Sequence, residues 1–343
     1  MDLTKIQRKF VRKYGQRSIS LASDQEALSS ITYGLSSQSL SLDLALGRPG
    51  FPAGRLTEIV GLTHTGKSSL LYSVFAECQR LGGISVLVET ENAFEASRLE
   101  SVGVKSQDLI LLQPEYIEQA LEMILEVMED LRKVQKFTGP IVIGLDTIAG
   151  TPCQVEVEGG YDEKHMAASA RSIALGLRKL IRPLAEYQTV LIFLNQLRAS
   201  MEQWGDKWVS YGGKAIGSSS SIRVRLSSQQ KDLVRENGHL LGTWTNAYTI
   251  KNKLATPFQL TKYFLNFEHG IDPLEDLWRA CLHMKLLKVS QKSYKLTIGE
   301  KSAQIERSKF GEFIDAKFKS PQKFKERVMQ VAFEQRLMKP YGS

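Results

Sequence analysis

The chain has 343 residues, enough for one large core and a smaller domain, and its 42% hydrophobic and 24% charged content excludes a disordered or fibrous protein. No apolar run is long enough to span a bilayer, and the basic, amphipathic start, residues 1–17, lacks the apolar stretch of a secretion signal. The net charge of +8 favours a polyanionic partner and is concentrated at the ends: residues 1–20 carry six basic side chains against one acid, residues 301–343 ten against five.

In chain order, a helix is predicted over Leu3–Tyr14, followed by a polar stretch to about Ser37. Leu40, Leu42, Leu44 and Leu46 lead into a turn, Gly47-Arg48-Pro49-Gly50. Apolar runs then alternate with helical ones. Strands are predicted over Leu56–Val60, Ile84–Glu89, Leu109–Leu112, Ile141–Asp146 and Val190–Asn195. Helices are predicted over Ser69–Leu81, Ala93–Val102, Ile117–Val134 and His165–Leu180. Such alternation predicts an α/β fold with a mostly parallel central sheet covered on both faces. Ser221–Leu226, Ala247–Lys251 and Tyr263–Phe267 read as an antiparallel extension, and Gly270 to Pro273 as a boundary. The expected division is an N-terminal helix and linker over 1–36, a nucleotide-binding core over 37–271 and a small basic α/β domain over 272–343. Cys78, Cys153 and Cys281 show neither disulfide nor metal spacing, so a reducing, cytoplasmic setting and no structural metal are expected.

The chemistry is announced by Gly61-Leu62-Thr63-His64-Thr65-Gly66-Lys67-Ser68, which fits the phosphate-binding pattern GxxxxGK[ST] between a predicted strand and a predicted helix. In that context backbone N–H groups converge on phosphate oxygens and the helix dipole adds to them. Lys67 then reaches the β- and γ-phosphates and Ser68 holds magnesium, with Ser69 continuing the nucleotide-binding set. Asp146, ending an apolar strand about 80 residues later, is placed to meet the magnesium through water. Glu91, just beyond another strand, is placed to polarise water for attack on the γ-phosphate. Gln196 ends a third strand and is placed to sense that phosphate. After it, Met201, Trp204 and Trp208 lie among charges in a loop closed by Gly212-Gly213. Exposed aromatics in such a loop suit stacking on bases; the alternative is that both tryptophans pack inward.

In their order these motifs resemble the bacterial RecA recombinase family. Ser39 to Gly47, Gly54 to Ile59, Gln113-Pro114 with Glu118 to Leu121, Thr151-Pro152, His165-Met166, Phe193 to Arg198 and Lys251-Asn252-Lys253 with Pro257-Phe258 carry the resemblance, over about residues 5–290. It implies a RecA-like P-loop NTPase core, ATP and Mg2+ as cofactors, and a helical filament on single-stranded DNA that pairs with homologous duplex DNA. It implies Glu91 as catalytic glutamate, Gln196 as the link from ATP to the DNA loops, and Lys251 and Lys253 as lysines reaching a neighbouring subunit's γ-phosphate. It places DNA contacts near 158–166 and 197–213: Met166 and Met201 as wedges, Arg171, Arg198, Lys207 and Lys214 on phosphates, with Arg178, Arg223 and Arg225 as further basic candidates.

The chain also departs from the family. The phosphate-loop interior, Leu62 to Thr65, is unusual, and Arg98 stands where the family stacks a tyrosine on adenine; a guanidinium also stacks on a base. The end of the chain is basic where an acidic tail is common. These are the marks of a divergent member, such as a virus or mobile element carries. The expected function is DNA strand exchange coupled to DNA-dependent ATP hydrolysis. The alternative, an accessory paralogue that binds ATP and DNA without exchanging strands, would be expected to show a broken set at Lys67, Glu91, Asp146 or Gln196, and all four are present.

Overall fold

The computed structural model describes residues 3–15, 31–91, 93–159, 166–199, 208–212, 214–290, 293–299 and 301–341. Helix α1 (Leu3–Tyr14) comes first, with Ile6, Phe10 and Tyr14 exposed along one face at helical spacing. A short ribbon of β1 (Gly34–Leu35) and β2 (Phe51–Pro52) flanks α2 (Leu40–Leu46). All seven residues of α2 are buried, so its alternate leucines belong to a helix enclosed on every side. Ser39 caps it, accepting from the Leu42 N–H at 3.0 Å, and Gly47 ends it in the left-handed region.

The alternating core follows as β3 (Arg55–Gly61), α3 (Lys67–Arg80), β4 (Ile84–Glu89), α4 (Ala96–Ser101) and β5 (Leu109–Leu112). It continues with α5 (Ile117–Glu129), β6 (Ile141–Asp146), α6 (Gln154–Glu158), α7 (Met166–Tyr187) and β7 (Val190–Ala199). Then come β8 (Trp208–Ser210), α8 (Lys214–Ser219), β9 (Ile222–Ser227), β10 (Leu233–Glu236), β11 (His239–Asn252), β12 (Leu260–Asn266) and β13 (Gly270–Ile271). The sheet order is β13-β12-β11-β9-β3-β7-β6-β4-β5, with β10 beside β11 and β8 beside β7. From β9 to β5 the strands are parallel; β11, β12 and β13 extend the sheet antiparallel, as expected from the sequence.

Both faces are covered, which explains the continuous apolar strands. Along β7, Val190, Ile192 and Leu194 join the core beneath α3, while Leu191 and Phe193 join the one beneath α5 and α7. Gly144 of β6 lets α3 approach: a Cβ there would lie 2.5 Å from Leu71 Cδ2. Three helices differ from expectation, the one predicted over Ala93–Val102 forming only over Ala96–Ser101. The predicted Ile117–Val134 helix turns into a π-helical turn at Asp130–Val134. The predicted His165–Leu180 helix runs on to Tyr187 through Pro183, because Leu180 and Leu184 continue the stripe of Ile173 and Leu177 into the core. That packing outweighs the missing N–H of the proline.

Beyond the sheet lie α9 (Pro273–His283), an antiparallel set of β14 (Leu287–Ser290), β15 (Ser293–Ile298) and β16 (Lys301–Ile305), then α10 (Phe310–Phe318) and α11 (Pro321–Glu334). This segment shares one apolar cluster with Leu40 and Leu44 of α2. No helix among the described residues is long and apolar enough to cross a membrane.

Candidate functional site

The site lies at the carboxyl edge of the parallel sheet, where β4, β6, β7 and β3 stand side by side. After Gly61 the chain turns through residues 62–66 and enters α3 at Lys67. Gly66 is the helix N-cap at φ 84°, a conformation that favours glycine, and no described side chain caps the helix. Its first N–H groups therefore remain for an anion. Inside the loop, buried Thr65 donates from Oγ1 to the Leu62 carbonyl at 2.8 Å, while His64, at φ 60°, and Leu62 are exposed and Thr63 lies beside them on the surface. Lys67 Nζ donates to the carbonyls of Leu62 at 2.8 Å and Gly61 at 3.3 Å. Burial lowers the Lys67 pKa, and the charges of Asp146 and Glu91 oppose that shift. Ser69 lies in the first turn, its carbonyl accepting from Ser73.

Strand register brings the acids to this loop. Glu89 pairs with Asp146 across β4 and β6, and Gly61 with Gln196 across β3 and β7. Buried Glu89 accepts from the N–H groups of Glu91 at 2.8 Å and Ala93 at 3.2 Å, shaping the turn that presents the exposed Glu91. Gln196 Nε2 donates to Glu91 Oε1 at 3.4 Å. Burial pushes the Asp146 carboxyl above its ordinary value and Glu91 adds to the shift; the Ser68 hydroxyl, Lys67 and Arg98 oppose it. A desolvated carboxylate bonded to a hydroxyl offers adjacent oxygen ligands, the donor set that a magnesium ion takes. The uncapped helix end and Lys67 fit the phosphates of a nucleotide equally well. Arg98, exposed on α4, reaches the site by its charge on Asp146 and on Tyr72 of α3.

Beyond Gln196, β7 runs on and pairs antiparallel with β8, Ala199 opposite Trp208. Met201, Trp204 and Lys207, between β7 and β8 in the chain, lie outside the described residues, as do Gly213 and the Met166 side chain. Trp208 is 39% exposed, so it does not pack inward. Arg198 is exposed, with its guanidinium 5.2 Å from the Tyr211 ring centre. Gly212 at φ 76° ends the hairpin stem, and the exposed Lys214 opens α8. Arg171 and Arg178 are exposed on α7, whose Ser169 hydroxyl lies 3.0 Å from that of Tyr211.

Lys251 and Lys253 stand apart from the phosphate loop of their own chain. Lys251 pairs in register with Arg223, and Arg223 with Glu58, three residues before Gly61 and two strands away. Its Nζ donates to the carbonyls of Gly217 at 2.7 Å and Ser218 at 3.0 Å, at the end of α8. Burial lowers the Lys251 pKa, and the positive charges of Lys253 and Arg223 lower it further. Lys253 is exposed.

One residue absent from the sequence-based set belongs to this edge. Glu58 is fully buried on β3 and accepts from Asn195 Nδ2 at 2.8 Å and from Arg223 Nε at 2.5 Å. An acid inside the apolar run Leu56–Val60 was the available signal, since a charge in a central strand demands partners. Arg223, read from the sequence as a contact for DNA phosphates, is committed to this carboxylate.

The likenesses to known proteins agree with this arrangement. The family model for the RecA N-terminal domain matches residues 2–272. Protein RecA of Legionella pneumophila is 31% identical over 280 residues, 81% of this chain and 78% of that one. Protein RecA of Chlorobium chlorochromatii is 36% identical over 247 residues, covering 71% and 67% of the two chains. That of Thermus thermophilus is 36% identical over 242 residues, covering 70% and 68%. With the phosphate loop, the acids and the amide gathered at one sheet edge and the match running across that whole sheet, the chain belongs to the RecA family.

Proposed function

We propose that the chain is an ATP-dependent DNA recombinase, which assembles as a helical filament on single-stranded DNA and exchanges strands with a homologous duplex. The observation that carries this reading is the Gln196–Glu91 hydrogen bond. It joins the acid beside the phosphate loop to the strand that leads into the exposed Trp208 hairpin, so nucleotide state and hairpin share one side chain.

In this reading Lys67 and the first N–H groups of α3 bind the phosphates, and Ser68 with Asp146 holds magnesium. The bound ion supplies a hard cation that neutralises charge developing on the phosphate oxygens. Glu91 orients the attacking water and takes its proton, and Gln196 releases Glu91 when it turns to the γ-phosphate. Lys251 and Lys253 of a neighbouring subunit complete the charge stabilisation in trans, as an arginine finger does, which makes hydrolysis depend on assembly. Trp208, Arg198, Arg171 and Lys214, with Met166, Met201, Trp204, Lys207, Gly212 and Gly213, form the DNA surface, binding backbone and bases without sequence preference.

The test is a strand-exchange assay with ATP turnover followed in parallel and Lys67→Ala as the control. Joint molecules together with DNA-stimulated turnover, both lost in the control, are expected. Turnover without joint molecules would instead assign an accessory role.

A further inference from the structure

The ion pair of buried Glu58 and half-buried Arg223 joins the phosphate-loop strand to β9 and, through Ser210, to the stem of the Trp208 hairpin. One carboxylate oxygen accepts from Asn195 Nδ2, which also donates to the Tyr211 carbonyl at 3.0 Å. The other accepts from Arg223 Nε, while Arg223 Nη2 donates to Ser210 Oγ at 3.3 Å. Two routes thus run from a single carboxylate to consecutive residues, Ser210 and Tyr211, just before the Gly212 turn. The guanidinium also lies against α8: a Cβ on Gly217 would come within 3.1 Å of Arg223 Cζ. Asn195 directly precedes Gln196, the residue that touches Glu91.

A carboxylate with no solvent exposure in the middle of a central strand is costly, and an apolar residue of similar size would serve packing at least as well. Its value here lies in geometry. We propose that Glu58 is a positioning residue: it anchors the return stem of the hairpin to β3, so that movement at Gln196 is passed along β7 toward Ala199 instead of being absorbed in the base of the hairpin. The stem and α8 are the fixed end of the lever, and Gln196 is the moving end.

For its effect on turnover this inference rests on the function proposed above, and the test separates the two. In full-length Glu58→Gln, backbone hydrogen exchange over residues 208–219 is expected to quicken roughly tenfold, the scale of coupling within one hydrogen-bonded network, while exchange over 61–80 stays as in the wild type. ATP affinity is expected to stay within about twofold, and DNA-stimulated turnover to fall roughly tenfold. Arg223→Lys keeps the charge but cannot bridge Glu58 and Ser210 with one planar group, so it is expected to quicken exchange over the same segment; it also carries the test should Glu58→Gln fail to fold. Unchanged exchange over 208–219 would overturn the inference. So would a change spread evenly over the sheet with an equal loss of ATP affinity, which would make the pair a packing element only. Wild-type protein without DNA-stimulated turnover would refute the proposed function, while the exchange measurement would still judge Glu58.

Discussion

Lys251 illustrates what a single side chain can and cannot announce. Its sequence neighbours resemble a strand whose lysines act on the next subunit, yet in the isolated chain its ammonium caps the carbonyls of Gly217 and Ser218. The proposed role on a neighbour's phosphate would require Lys251 to leave those acceptors. Lys251→Ala is expected to keep ATP affinity within about threefold while DNA-stimulated turnover falls by about a thousandfold, the scale of losing a charge supplied in trans. Steady-state turnover with and without single-stranded DNA measures this, and normal stimulated turnover would remove Lys251 from the site. The placement of Lys67, Ser68, Glu91, Asp146 and Gln196 at one sheet edge was legible because each sits at a strand end or in a loop of fixed spacing. Glu58 was hidden because its role depends on Asn195 and Arg223, partners 137 and 165 residues distant.

Among the elements, the strand–loop–helix unit of β3 and α3 was readable almost residue by residue, since its glycines and apolar strand obey local rules. Gly66 is the position where those rules bind most tightly. It holds φ 84°, and a Cβ there would also meet Leu265 Cδ2 at 2.5 Å. Gly66→Ala is expected to cost about 1–2 kcal/mol, read from the urea midpoint, and to weaken ATP binding by distorting the cradle. The long β11, running from His239 to Asn252, was only partly visible in the sequence. Its inner residues, such as Thr243, Thr245 and Thr249, are buried polar ones and give no apolar alternation. Helix α7 was legible to Leu180 but not beyond, because Pro183 signals a stop that only the packing of Leu184 overrides.

At the scale of the molecule, the C-terminal segment is tied to the core by a buried acid. Asp276 of α9 accepts from Ser39 Oγ at 2.5 Å and from the Leu40 N–H at 2.6 Å. Burial raises its pKa from 3.8 to about 6, opposed by these hydrogen bonds and by the charge of Lys325. The folded value lies above the unfolded one, so the protonated form is favoured on folding. The associated stability is fully present below about pH 3.8 and is lost as pH rises to about 6. The thermal midpoint of the wild type, measured relative to Asp276→Asn, is therefore expected to be higher at pH 4 than at pH 8. An equal difference at both values would mean that Asp276 titrates alike in the folded and unfolded chain.

By itself the sequence determined the fold class, the phosphate-loop motif and the alternation of strands and helices in the parallel core, since these follow from apolar periodicity and from loops whose spacing is local. Tertiary structure decided the rest: that Glu91 and Gln196 touch, that Trp208 faces outward, that Lys251 rests on α8, and that Glu58 joins β3 to the hairpin stem. These contacts depend on register between strands far apart in the chain, set by how the two apolar faces of the sheet pack and written in no single stretch of residues.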